Sequence, residues 1–350
     1  MENINKILVI RFRRVGDAVL SAALCSTLKK SFPKATIDYV LNEGIAPLFY
    51  NHPDIDNIIT FNDKEMSTWR NYIKKVKKVM DQGRYDIIVD TRSTVKTLWF
   101  SLFSLKTLYR IGRKKAYNRL IQNYTTENGD GGDMVSLTLK LLQPLQKKFP
   151  IILDRNFRVY VTEDEKKLFS EYLIEKGVDI HKPIITCAVA TRIPHKMWDF
   201  KLMKDTLLHI LSSYEDVQLI FNYAGKEEQK ISEMLHKEMG NHPRIFSDIN
   251  ASTLRELSCM IDLSCFFFGN EGGPRHISQA LNIPSFAIYP PGISKTKWLP
   301  NSSERYQGIS SDDISTEQNT SKLSYKQQFD LITLEEVWKQ LNPMLEKYAK

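Results

Sequence analysis

Two hydrophobic patterns alternate along the chain. Short, nearly unbroken apolar runs at 7–11, 36–41, 58–61, 85–90 and 108–112 read as strands buried on both faces. A second series of such runs follows at 184–189, 217–222, 244–246, 265–269 and 285–289. Between them, apolar residues recur at helical spacing over 18–32, 69–82, 95–105, 134–145, 163–177, 200–213, 275–281 and 334–348. Thr162 caps the start of the helix at 163 and Gly177 marks its end, while Thr333 and Glu336 are spaced as a capping box. Two polar stretches, 125–133 and 302–324, read as surface loops.

Strand–helix alternation on this scale predicts an α/β fold with parallel sheets. With 350 residues, the chain has length for two domains. The expected division is an N-terminal Rossmann-like domain at 1–160, a linker helix and connection at 161–182, a C-terminal Rossmann-like domain at 183–330, and a closing helix at 331–350. A ligand is expected in a cleft between the domains, beyond the carboxyl ends of the strands. No GxGxxG or GxxxxGK[ST] follows any strand, which removes the usual dinucleotide and P-loop signatures.

Charge adds a direction. Lys and Arg total 49 against 41 Asp and Glu, a net +8 that favours anionic partners such as nucleotides or acidic headgroups. No reading motif accompanies that charge, so nucleic acid is not an expected partner. The four cysteines form no CxxC pair and sit in apolar runs, which predicts buried free thiols rather than a zinc site. No apolar run reaches the ~20 residues that span a bilayer, and the polar start has no signal-peptide centre, so a cytosolic chain is expected.

Candidate chemistry collects at strand ends. After the first strand, the turn Arg11–Asp17 carries Arg14, Gly16 and Asp17. Asp17 either caps the following helix or serves as a general base. Asp90 and Arg92 end another strand, and Arg110, Arg113, Lys114, Lys115 and Arg119 form a basic group suited to an acidic ligand or an anionic lipid surface. In the second half, Glu271, Gly272, Gly273, Pro274, Arg275 and His276 join a strand to a helix whose free N–H groups suit a diphosphate. Thr191 and Lys196 follow a strand and can donate to a phosphate. Glu227 and Glu228 open a helix after another strand, where a carboxylate can accept from ribose hydroxyls or simply favour the helix dipole.

Taken in order, these segments resemble the bacterial heptosyltransferases, glycosyltransferase family nine. The likeness runs over most of 6–300, through the strand–Gly-Asp–helix opening at 7–28, Lys196-Met197-Trp198, and Glu271–His276 followed by Pro284–Tyr289. It implies a GT-B fold, two Rossmann-like domains with parallel sheets facing across a cleft. It also implies inverting transfer of heptose from an ADP-sugar to a lipopolysaccharide core, at the cytosolic face of the inner membrane with peripheral contact to its anionic surface. In that scheme Asp17 is the base and Lys196 neutralises donor phosphates. Gly272 and Gly273 supply phosphate-binding amides, Glu227 binds ribose, and Thr191, Glu271 and His276 complete the donor site. Arg14, Asp90, Arg92 and Arg113 are assigned to the acidic glycolipid acceptor. No metal or cofactor is implied. Glu271, Gly272, Arg275 and Ala190 depart from the family pattern, and Glu271, Gly272 and Ala190 motivate the alternative of a non-catalytic nucleotide-sugar-binding protein.

Overall fold

Val9 and Ile10 lie between neighbours on both sides, because β1 (Lys6–Ile10) is a central strand flanked in register by β2 (Thr36–Asn42) and β4 (Ile87–Asp90). The computed structural model describes residues 3–127, 129, 131–315 and 320–349. It divides into two units, 1–160 and 161–350. With β3 (Asn57–Phe61), β5 (Tyr109–Arg113) and β6 (Tyr124–Thr126), the first unit's parallel sheet has the order β3-β2-β1-β4-β5-β6. Its helices are α1 (Val15–Ser31), α2 (Asp63–Met66), α3 (Trp69–Gly83), α4 (Val95–Leu102), α5 (Met134–Leu139) and α6 (Gln143–Gln146). Val76 and Met80 of α3 and Phe100 of α4 pack on Leu8, Ile10, Val40 and Ile88.

The second unit repeats the plan. Its strands are β7 (Ile184–Ala188), β8 (Gln218–Phe221), β9 (Ile245–Phe246), β10 (Phe266–Asn270), β11 (Ser285–Ile288) and β12 (Tyr306–Ile309), in the parallel order β12-β11-β10-β7-β8-β9. Counted from each unit's first strand, both orders are 3-2-1-4-5-6, the doubly wound arrangement whose strand order reverses between strands one and four. The principal helices are α7 (Glu163–Glu175), α8 (Phe200–Ser213), α9 (Lys226–Glu238), α10 (Leu254–Asp262) and α11 (Gly273–Ala280), with a closing helix Leu334–Tyr348. Met203, Leu207 and Ile210 of α8 share a core with Val337, Leu341 and Leu345 of the closing helix and with Ile185 and Leu219 of the sheet.

Several elements differ from expectation. The helix expected at 163–177 belongs to the second unit, where α7 packs on α10 and Glu165 takes a two-pronged hydrogen bond from Arg255. β6 and β12 lie in stretches expected as loops, because edge strands need only one covered face and can be polar. The helix expected over 134–145 is broken, passing through a tighter turn before Pro144 starts α6. Residues 128 and 130 of the expected loop 125–133, and 316–319 of the loop 302–324, lie outside the described residues. All four cysteines are free thiols; Cys25, Cys187 and Cys259 are buried and Cys265 is partly so.

Candidate functional site

In the first unit the chemistry gathers at the carboxyl end of β1 and β4. Arg11 extends β1 and is buried, while Asp17 sits in the first turn of α1. One carboxylate oxygen of Asp17 pairs with the Arg11 guanidinium, and the other accepts the Arg14 backbone N–H at 3.2 Å. Asp17 therefore both caps its helix and holds a charge partner. Arg11 also reaches the Thr91 hydroxyl at 3.4 Å, and its Nε has no partner among the described residues.

Asp90, at the end of β4, is fully buried. Its Oδ1 accepts the N–H groups of Arg92 (3.0 Å) and Ser93 (2.8 Å), and its Oδ2 accepts from Gln122 at 3.3 Å. Burial pushes its carboxyl above the ordinary range, against the pull of those hydrogen bonds and of Arg11. Asp90 thus braces the turn that presents Arg92 and is not open to a ligand. Arg92 is exposed, with Nη1 3.4 Å from the Phe12 carbonyl. Arg14 is exposed as well. Arg113 donates to the carbonyls of Thr91 (3.1 Å) and Leu137 (3.3 Å), and burial lowers its guanidinium pKa. Arg110 leaves the expected basic group: it is buried, and its guanidinium donates to the carbonyls of Leu105, Thr107 and Ile121.

In the second unit the corresponding strand, β10, ends in neutral Asn270. Its amide donates to the carbonyls of Ala188 (3.0 Å) and Val189 (3.2 Å), and its Oδ1 accepts the Trp198 N–H at 2.8 Å. These bonds tie both ends of the loop carrying Thr191 and Lys196 to the sheet. Gly269 permits this closeness: its φ is +137°, and a Cβ there would collide with the Ala188 carbonyl. The Trp198 indole is buried and donates to the Ile332 carbonyl at 2.9 Å.

Glu271 and His276 face each other at 3.5 Å, both nearly buried. Burial raises the Glu271 carboxyl, but the His276 hydrogen bond and the positive charges of His276, Arg275 and Lys196 outweigh it and hold the pKa below its ordinary value. Arg275 turns inward. It is completely buried and bonds Gln279 Oε1 and the Trp298 carbonyl, both at 2.6 Å. Gly272 and Gly273 begin α11, and their N–H groups have no acceptor among the described residues. Pro274 follows as a residue with no N–H to satisfy. Lys196 likewise has no hydrogen bond or ion pair from its ammonium among the described residues. Two amides without an acceptor and the Lys196 ammonium, beside the Glu271 carboxylate, give this end of the unit groups that can donate to an anion.

Two of the expected donor residues already have partners. The Thr191 hydroxyl already donates to the Ile193 carbonyl at 2.8 Å, so its oxygen can accept from a ligand but its proton is engaged. Glu227 points outward, paired with Lys230 at 2.9 Å. The neighbouring Glu228 turns in, accepting the Ala224 N–H at 2.8 Å, and burial pushes its carboxyl up. Of the two acids after Gly225, the resemblance selects Glu227, whereas Glu228 is the one that turns inward. Asn270 lies in a candidate segment but receives no role of its own in the sequence reading. Among the described residues no group of three or more His, Cys, Asp or Glu side chains is placed to hold a metal ion. Nor is any described helix long and apolar enough to cross a membrane.

The profile of glycosyltransferase family 9 (heptosyltransferase) matches residues 73–329. A lipooligosaccharide heptosyltransferase 2 of Haemophilus ducreyi is 24% identical, covering 97% of this chain and 99% of that protein. Among solved structures, a glycosyl transferase family 9 protein of Veillonella parvula superposes with a TM-score of 0.82 at 16% identity, covering 99% of both chains. An ADP-heptose lps heptosyltransferase II of E. coli gives 0.73 at 19% identity, covering 98% of this chain and 99% of that one. This likeness shows the GT-B fold.

Proposed function

The chain belongs to glycosyltransferase family 9, the heptosyltransferases, and from that premise we propose that it moves a heptose from an ADP-linked donor to a lipopolysaccharide-type core acceptor, inverting the anomeric centre. The donor and acceptor classes are those in the names of the similar proteins. The reaction is placed at the cytosolic face of the inner membrane.

In this reading Asp17 takes the proton of the acceptor hydroxyl. The oxygen bonds to the anomeric carbon from the face opposite the diphosphate, and the carbon–oxygen bond to phosphate breaks with its electron pair leaving on ADP. Arg11, bonded to the same carboxylate, fixes its orientation. Lys196 and the amides of Gly272 and Gly273 take up the charge that develops on the leaving diphosphate, so the reading calls for no metal ion. Glu228 accepts from the ribose in place of Glu227. Arg14, Arg92 and Arg113 supply positive charge to an acidic acceptor, with Asp90 bracing the turn that carries Arg92.

The observation that carries the proposal is the coincidence of unengaged Gly272 and Gly273 amides, unengaged Lys196 and buried Arg275 at one helix start. The test is incubation with ADP-heptose and a truncated, soluble core acceptor. Acceptor-dependent release of ADP with a heptosylated product of inverted configuration is expected. Retained configuration, or turnover with UDP- or GDP-sugars alone, would overturn it.

A further inference from the structure

At the amino end of the first unit's sheet, three positions facing α3 are polar. Lys6, Asp38 and Asn57 stand two places before Leu8, Val40 and Ile59 on β1, β2 and β3, so alternation turns them to the same face. A carboxylate on an inner strand needs partners, and Asp38 is only 3% exposed. Its Oδ1 accepts from the Asn57 amide at 2.8 Å and its Oδ2 from the Tyr85 hydroxyl at 2.7 Å, with the Lys6 ammonium 3.4 Å away.

These groups line one side of a cavity of about 470 Å³, a volume that suits a small molecule. Lys6 begins β1, whereas Asp90 ends β4, so the cavity lies toward the other end of the sheet from Asp90 and Asp17.

Helix α3 supplies the facing wall. Lys75, Lys78 and Gln82 follow one another at spacings of three and four residues, which puts them on one side of the helix. Lys75 is shared with Glu65 at 2.7 Å. Among the described residues Lys78 has no ion pair, and neither the Gln82 amide nor the Thr60 hydroxyl has a hydrogen bond. Ile59 and Val79 add aliphatic surface to the lining.

Three ammoniums against one carboxylate leave the lining with an excess of positive charge. A phosphomonoester brings about −2 at neutral pH and three acceptor oxygens for those ammoniums. Sugar hydroxyls can bond to Asp38, Gln82 and Thr60, while the C–H faces of a sugar ring suit Ile59, Val79 and the Tyr85 ring. We propose that this cavity binds a phosphorylated sugar. The site is separate from the residues of the transfer reaction and does not depend on that reading.

Calorimetric titration of the full chain with glucose 6-phosphate, ribose 5-phosphate, glucose and inorganic phosphate tests it. Saturable binding of at least one sugar phosphate is expected, tighter than that of inorganic phosphate, with none for glucose. Lys78→Ala should weaken it roughly 10-fold and Thr60→Val roughly 3-fold. Lys77→Ala, on the opposite side of α3 where Lys77 pairs with Asp81, should leave it unchanged. Lys196→Ala, in the second unit, should also leave it unchanged, which separates this site from the proposed donor site. No saturable binding of either sugar phosphate, equal affinity for inorganic phosphate, or equal losses in Lys77→Ala and Lys78→Ala would overturn the proposal. So would a loss confined to Lys196→Ala.

Discussion

The two units share a strand order yet treat the same position in opposite ways. Where strand four of the first unit ends, Asp90 is buried as an acid that ties its own turn, and Arg11 beside it holds the Asp17 carboxylate. Where strand four of the second unit ends, neutral Asn270 reaches sideways to clamp the loop of Lys196. The first arrangement fixes a carboxylate with an arginine. The second leaves amides and an ammonium unspent for a ligand. One scaffold thus holds an arginine-paired carboxylate in one half and leaves amides and an ammonium unengaged in the other, the division on which the proposed base and phosphate site rest.

Substitutions can break this division of labour. Asp17→Asn removes the proposed base while keeping its shape, and kcat should fall roughly 10²–10⁴-fold with donor KM little changed, as read by ADP release. Lys196→Ala should lower kcat/KM roughly 10²–10³-fold in the same assay. Gly269→Ala strikes the scaffold instead: a Cβ against the Ala188 carbonyl at φ +137° should destabilise the protein by about 2 kcal/mol or more in urea unfolding.

Two smaller effects sharpen the picture. Glu228→Ala should raise donor KM several-fold more than Glu227→Ala, since only Glu228 turns inward; equal effects would count against that assignment. The third site of charge is structural. The Arg255 hydrogen bonds hold the Glu165 carboxyl well below the usual carboxylate range, to about 2. Because the folded pKa is depressed, its stabilisation is present above the unfolded value of ~4.3 and is lost as pH falls from there toward 2. The pair is partly solvated, so about 1 kcal/mol or less is at stake, and Glu165→Gln should flatten that part of the acid-unfolding curve.

Much of the fold was legible because central parallel strands are apolar on both faces. The runs at 7–11, 85–90 and 184–189 therefore stand out, and 200–213 and 334–348 emerge as helices with the expected bounds. Of the four edge strands, β3 and β9 keep short apolar runs, but β6 and β12 are too polar to show one, which is why 125–126 and 306–309 read as loop. At the site, chain position was legible and orientation was not. Glu227 and Glu228 differ by about 100° around the helix, enough to send one to solvent and the other inward. Arg275 shows in sequence only as an added charge in the turn, whereas in the fold it finds carbonyl and amide acceptors inside. Asn270 was hidden because its value lies in three bonds to residues some 70–80 positions away.

Calorimetric titration of ADP into wild type, Asp17→Asn and Lys196→Ala tests the division most directly. Asp17→Asn should bind ADP as wild type does, and Lys196→Ala should bind at least 10-fold more weakly. Unchanged affinity in Lys196→Ala, with the loss appearing in Asp17→Asn, would contradict the account.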